Sequence, residues 1–69
     1  MINVKYRIEI WQWLNMTDSY ESDDIQDILS WYQSEGWCGA YDNGSCAFNI
    51  YENGRELSFD EGYDLGFYD

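Results

Sequence analysis

From residue 2 to residue 10 the chain alternates strictly. Ile2, Val4, Tyr6, Ile8 and Ile10 fall on one side, and Asn3, Lys5, Arg7 and Glu9 on the other. A period of two in β-branched and aromatic residues predicts a half-buried strand, here continuing to Trp13. "LNMTDSYES" follows without a period and reads as a loop. Ser22 is then the expected helix N-cap, with Asp23 and Asp24 in the first turn, where the positive end of the helix dipole favours acids. Ile25, Ile28, Leu29 and Tyr32 recur at i, i+3, i+4 and i+7, one face of a helix, and Gly36 ends it.

Two Asn-Gly pairs come next, in "DNGS" (42–45) and "ENGR" (52–55). Asn-Gly suits the type I′ turn of a two-residue hairpin, because both central residues need positive φ. The pairs predict three antiparallel strands at about 37–42, 45–52 and 55–59. In that register Phe48 and Ile50 share a face with Leu57, Phe59 and Trp37, the other face carries Asn49, Tyr51, Glu56 and Ser58, and Arg55 is held by Glu52 across the turn. The tail "SFDEGYDLGFYD" supports two readings. Ser58 and Glu61 have capping-box spacing, with Gly66 as a helix end; Tyr63, Leu65 and Phe67 alternate as a strand would. The expected fold is α+β: one domain over residues 1–69, an antiparallel sheet of about four strands in the order β-α-β-β-β, one helix packed on one face, and a C-terminal tail.

Composition adds a question. Of 69 residues, 14 are Asp or Glu and three are Lys or Arg, giving a formal net charge of -11. Like charge destabilises a compact state, and a chain this short has a thin core. Charge of this size in an apolar-poor chain would predict disorder. Here 45% of residues are hydrophobic, and four Trp, seven Tyr and three Phe supply a core. The excess exceeds the net charge of about 2–8 that solubility requires of a small domain. Lys5, Arg7 and Glu9 interrupt the N-terminal apolar stretch, so no signal peptide is expected there, and no run reaches the ~18–20 apolar residues of a membrane span. An anionic surface is repelled by nucleic acid and by anionic lipid. A cytosolic protein with a basic protein partner is the expectation.

Catalytic chemistry finds little to work with. The chain has no histidine, the commonest general base and metal ligand, and no Gly-rich phosphate loop. With so many acids, carboxylate pairs at glycosidase spacing arise by chance. Asp18, Glu21, Asp23 and Asp24 crowd one loop, yet the D-x-[DN]-x-[DN]-G pattern of an EF-hand is absent. No enzyme activity, metal or cofactor is expected. Cys38 and Cys46 flank the first Asn-Gly pair; in that hairpin register their thiols point to opposite faces, so both are expected reduced and structural.

The acids themselves are the candidate site. A compact chain of this length has a radius of gyration near ~11 Å and a diameter of roughly 28 Å. Duplex DNA of that length carries about 17 charges, close to the number of carboxylates here. The candidate partner-binding acids are Glu21, Asp23, Asp24 and Asp27 around the helix start, Asp42 and Glu52 at the hairpin turns, and Asp60, Glu61, Asp64 and Asp69 in the tail. Five tyrosines precede an acid: Tyr20, Tyr41, Tyr51, Tyr63 and Tyr68. Tyrosine rings accept Arg or Lys as cation–π partners and are enriched in interfaces. Tyr20, Tyr51 and Tyr68 are expected as exposed anchors, while Tyr6 and Tyr32 are expected in the core.

Small size, heavy acidity, abundant aromatics and no catalytic residues resemble anti-defence proteins of phages and mobile elements. These include anti-CRISPR proteins, antirestriction proteins and uracil-DNA glycosylase inhibitors. The likeness is one of composition and layout over the whole chain. It implies a stoichiometric inhibitor, an anti-CRISPR protein first among these, acting in the bacterial host cytoplasm. Such a protein would mimic DNA charge to block the nucleic-acid-binding surface of a basic protein such as a CRISPR effector complex. A monomer is expected rather than a homodimer. The alternative is an acidic adaptor or assembly module that binds a basic protein without displacing nucleic acid.

Overall fold

Ile8 and Ile10, from the alternating segment, lie fully buried at the centre of a four-stranded antiparallel sheet. The computed structural model describes residues 4–68. The elements are β1 (Tyr6–Gln12), β2 (Asn15–Ser22), α1 (Ile25–Ser34), α2 (Trp37–Asp42), β3 (Ala47–Glu52), β4 (Arg55–Glu56) and α3 (Phe59–Leu65). Strand order is β2-β1-β3-β4, an α+β architecture. Residues 2 and 3 of the expected first strand lie outside the described residues.

Opposed residues of antiparallel strands share a face. Ile8 stands opposite Ile50 and Ile10 opposite Phe48, so these four form one apolar layer. Ile28 and Tyr32 of α1 and Phe67 after α3 complete the buried cluster, with Trp37, Cys38 and Tyr41 of α2 and Leu65 of α3 packed against it. All three helices therefore serve one face of the sheet. The opposite face carries Arg7, Glu9 and Trp11 from β1, Glu21 and Ser19 from β2, and Asn49 and Tyr51 from β3.

The sheet has the expected number of strands but not the expected set. The segment read as a loop, residues 14–22, is mostly strand β2. It closes on β1 through a two-residue turn, Trp13-Leu14, with Gln12 opposite Asn15. Trp13 supplies the positive φ (59°) that a primed hairpin turn needs at its first position. The segment read as a strand over 37–42 is helix α2, which presents Trp37, Cys38 and Tyr41 to the core. The first Asn-Gly pair ends that helix: Asn43 is its C-cap, and Gly44 takes φ 76°. The second pair makes the expected hairpin, with Asn53 at φ 53° and Gly54 at φ 84°.

Helix α1 begins at Ile25, three residues beyond the expected Ser22 cap. Asp24 is the cap and accepts from the Gln26 N–H at 3.0 Å; Ser22 closes β2 and accepts from the Asp24 N–H at 3.1 Å. Glu35 and left-handed Gly36 (φ 82°) end α1 as expected. The last strand is shorter than 55–59, covering residues 55–56 before Leu57 donates once more to the Ile50 carbonyl. Phe59, expected in the core, opens α3 and is 60% exposed. The tail takes the helical reading: Ser58 and Glu61 form a complete capping box, and Gly66 (φ 95°) is the C-cap.

Candidate functional site

Each of the three bases is matched within the chain. Lys5 Nζ lies 3.9 Å from Glu52, Arg7 lies 3.0 Å from Glu9 and 3.7 Å from Glu21, and Arg55 lies 2.9 Å from Glu61. Arg55 thus turns to Glu61 of α3 rather than to Glu52. Among the described residues no charged side chain is buried. The described charge excess therefore sits at the surface, and among the described residues Asp18, Asp23, Asp24, Asp27, Glu35, Asp42, Glu56, Asp60 and Asp64 have no ion-pair partner within 4.0 Å.

Several of those acids nonetheless hold the fold. Asp23 accepts the backbone N–H of Lys5 at 2.8 Å, joining the β2–α1 connection to the start of β1. Asp24 caps α1. Asp27 accepts the Tyr20 hydroxyl at 3.0 Å, which raises the phenol's pKa. Glu61 accepts two bonds from the Arg55 guanidinium and one from the Ser58 N–H, and is held down to about 2. Asp42, Asp60 and Asp64 make no such bond.

The register gathers much of the predicted set at one end of the sheet. β1 begins there, β2 ends there at Ser22, and β3 ends there at Glu52 beside the Asn53-Gly54 turn. Glu21, Asp23 and Asp24 follow from the end of β2, and Asp27 from the first turn of α1. Glu52, Glu61 and Asp64 line one depression with Leu57 and Leu65. Asp60 joins Asp64 on α3 at the i, i+4 spacing that places both on one side of a helix. Asp42 stands apart at the end of α2, next to the loop that leads to the other end of the sheet. Asp69 lies outside the described residues.

The tyrosine anchors are redistributed. Tyr32 is buried, which pushes its phenol far up, and half-buried Tyr6 packs against the core. Tyr20 stacks flat on Trp31 at 5.1 Å and 5°. Tyr68 lies 4.3 Å from Phe59, 5.2 Å from Phe48 and 5.7 Å from Tyr41, ring centroid to centroid. Both are half-buried by these ring contacts, which corrects the expectation that they stand exposed. Tyr51 lies half-buried on the helix-free face between Arg7 and Glu56, where burial, Glu9 and Glu56 raise its pKa.

Two exposed aromatic groups went unpredicted. On α3, Phe59 and Tyr63 are 60% and 54% exposed and lie beside Asp60 and Asp64. At 100° per residue, positions 59, 63, 60 and 64 fill one contiguous arc of the helix. Capping-box spacing carried that signal, once the tail is read as helix. The second group is the Trp13-Leu14 turn, 96% and 92% exposed, with Met16 45% exposed. No residue signal marked it, because neither turn residue is a turn former.

Cys38 and Cys46 are both free thiols. The hairpin geometry used to separate them does not exist; Cys38 lies in α2, and the Cys46 thiol contacts the Trp37 carbonyl oxygen at 3.8 Å. Among the described residues no three carboxylates or thiols gather as metal ligands would, and no helix is long and apolar enough to cross a membrane. Comparison with protein-family models, with curated proteins and with solved structures finds no match to this chain.

Proposed function

We propose that the protein is a non-enzymatic, stoichiometric inhibitor that occupies the nucleic-acid-binding surface of a basic protein by presenting DNA-like negative charge. An anti-CRISPR role, blocking the DNA-binding channel of a CRISPR effector, is the leading form of this reading. One observation carries it: Lys5, Arg7 and Arg55 are each matched inside the chain, and among the described residues no unmatched acid is buried. A surface so biased attracts a basic groove at long range and speeds encounter. The α3 arc supplies what charge alone lacks. Phe59 and Tyr63 beside Asp60 and Asp64 offer aromatic faces to Arg or Lys next to the carboxylates that attract them.

The long axis of the protein is 36 Å. Duplex DNA of that length carries about 20 charges, so the net charge of -11 supplies about half that density, less than the compact-sphere comparison implied. The mimic is then a partial one, engaging one side of a groove rather than filling it.

The test is capture of a partner by the tagged protein, repeated in excess duplex DNA. A basic partner that DNA displaces supports the reading; one that stays bound beside DNA overturns it in favour of an adaptor. Replacing Asp60 and Asp64 together by Asn breaks no side-chain hydrogen bond among the described residues. The pair should slow association by roughly tenfold at low salt, with the difference vanishing at high salt. Unchanged association would remove α3 from the interface.

A further inference from the structure

The β1–β2 turn is built against its own stability. Trp13 adopts φ 59°, a left-handed conformation that strains any bulky L-residue and that glycine or asparagine takes readily. Its side chain repays none of that strain, being 96% exposed, and neighbouring Leu14 is 92% exposed. Strain of this kind, together with an apolar side chain held in water, marks a contact made elsewhere.

The surroundings fit an interface rather than an accident. From Ile10 through Thr17, and again from Asn43 through Tyr51, no residue is charged, in a chain of net charge -11. The two stretches meet: Trp11 and Trp13 share a depression with Gly44, Ser45, Cys46 and Ala47. Exposed Met16 stands opposite Trp11. Charge returns at the border: Glu9 accepts from the Trp11 indole N–H at 3.2 Å, Arg7 lies 3.8 Å from the Met16 sulfur, and Asp42 stands just before the Asn43-Gly44 loop. An uncharged centre rich in Trp and Met inside a polar rim is the anatomy of an interface core.

We propose that Trp13 and Leu14 are the anchor residues of a protein-binding site, and that they enter an apolar pocket with a basic rim on the partner. Charge chooses that occupant. A second copy would bring -11 against -11, and the same sign repels nucleic acid and anionic bilayers. A basic rim answers Asp42 and the net negative charge of the chain, and an apolar floor answers Trp13 and Leu14. The site rests on the proposed inhibitor reading for the identity of the partner, but its own chemistry is apolar. It sets how long the complex lasts, whereas the carboxylates set how fast it forms.

The test places the photo-crosslinking residue p-benzoylphenylalanine at position 13 of the full chain and irradiates it in bacterial lysate. The expected product joins position 13 to an apolar pocket of a basic protein. That protein, purified, should bind the Trp13→Gly, Leu14→Asn double variant at least about 30-fold more weakly than the parent, the size of an interface hot spot. The salt dependence of binding should stay that of the parent. The variant folds at least as well as the parent, since glycine suits the left-handed position and both lost side chains are exposed. Cross-linking to lipid, to a second copy of the chain or to nothing overturns the proposal, as does unchanged affinity of the variant. A pocket-binding partner that duplex DNA fails to displace would instead overturn the mimicry reading and leave the anchor standing.

Discussion

Gly62 faces the ring of Tyr68 so closely that a Cβ built on it would stand 2.7 Å from the Cε2 carbon. In an open helix, Gly→Ala stabilises by about 1 kcal/mol; here the sign reverses. The ring is wedged against Phe48 and Phe59 and must shift, and overpacking of this kind costs about 1–3 kcal/mol. Gly62→Ala should therefore lower stability by a net of up to about 2 kcal/mol, read as a lower midpoint in a chemical denaturation curve. A raised midpoint would show that the ring is not held. Single residues were only partly legible in the sequence. Gly36, Asn53, Gly54 and Gly66 sit where left-handed backbone was expected, because turn chemistry is local. Tyr20 and Tyr68, expected exposed, are half-buried, because what covers them comes from other elements: Trp31 on α1, and Phe48 on β3.

At the scale of elements, the Arg55–Glu61 pair ties the β3–β4 hairpin to α3. Arg55 is the first cause of the low Glu61 pKa, with the Ser58 N–H next. A carboxylate whose folded pKa lies below its unfolded value of about 4.5 favours the native state above that value, and the contribution is lost as pH falls toward about 2. The melting temperature of the parent should accordingly drop between about pH 4.5 and 2, and that of Glu61→Gln should drop less over the same interval. Parallel curves would separate the pair from acid stability. Helix α1 and the second hairpin were readable because each rests on a local pattern, a four-residue apolar face and an Asn-Gly turn. Strand β2 was not. It is an edge strand with polar residues on both faces, paired because β1 lies beside it, and its turn contains neither Gly nor Asn. Helix α2 is too short to show a period, and "WCGAY" before Asn-Gly has the composition of a hairpin strand.

For the molecule as a whole, the balance lies between a small core and a large like charge. Among the described residues the buried cluster is seven side chains, and the four surface ion pairs are each worth little. Self-repulsion among the unmatched acids is then the larger electrostatic effect, and salt screens it. The melting temperature should rise between about 20 mM and 500 mM sodium chloride; a gain of about 1 kcal/mol appears as ~4–8 °C in a domain of this size. A falling melting temperature would mean that the ion pairs outweigh the repulsion. The charge was legible from composition, and the radius of gyration expected from length is close to the 11.4 Å observed. The uncharged end was not legible, because β1 and the Asn43–Ala47 segment meet only once the sheet has formed. That same sheet imposes an order of assembly. β1 reaches β2 through a two-residue turn, but it reaches β3 only after both intervening helices have been drawn in. The entropy of loop closure falls almost wholly on the second pairing. The rate at which the chain finds its native state is thus set by the meeting of Ile8 with Ile50, a step to which the carboxylates contribute only by making the two halves reluctant to approach.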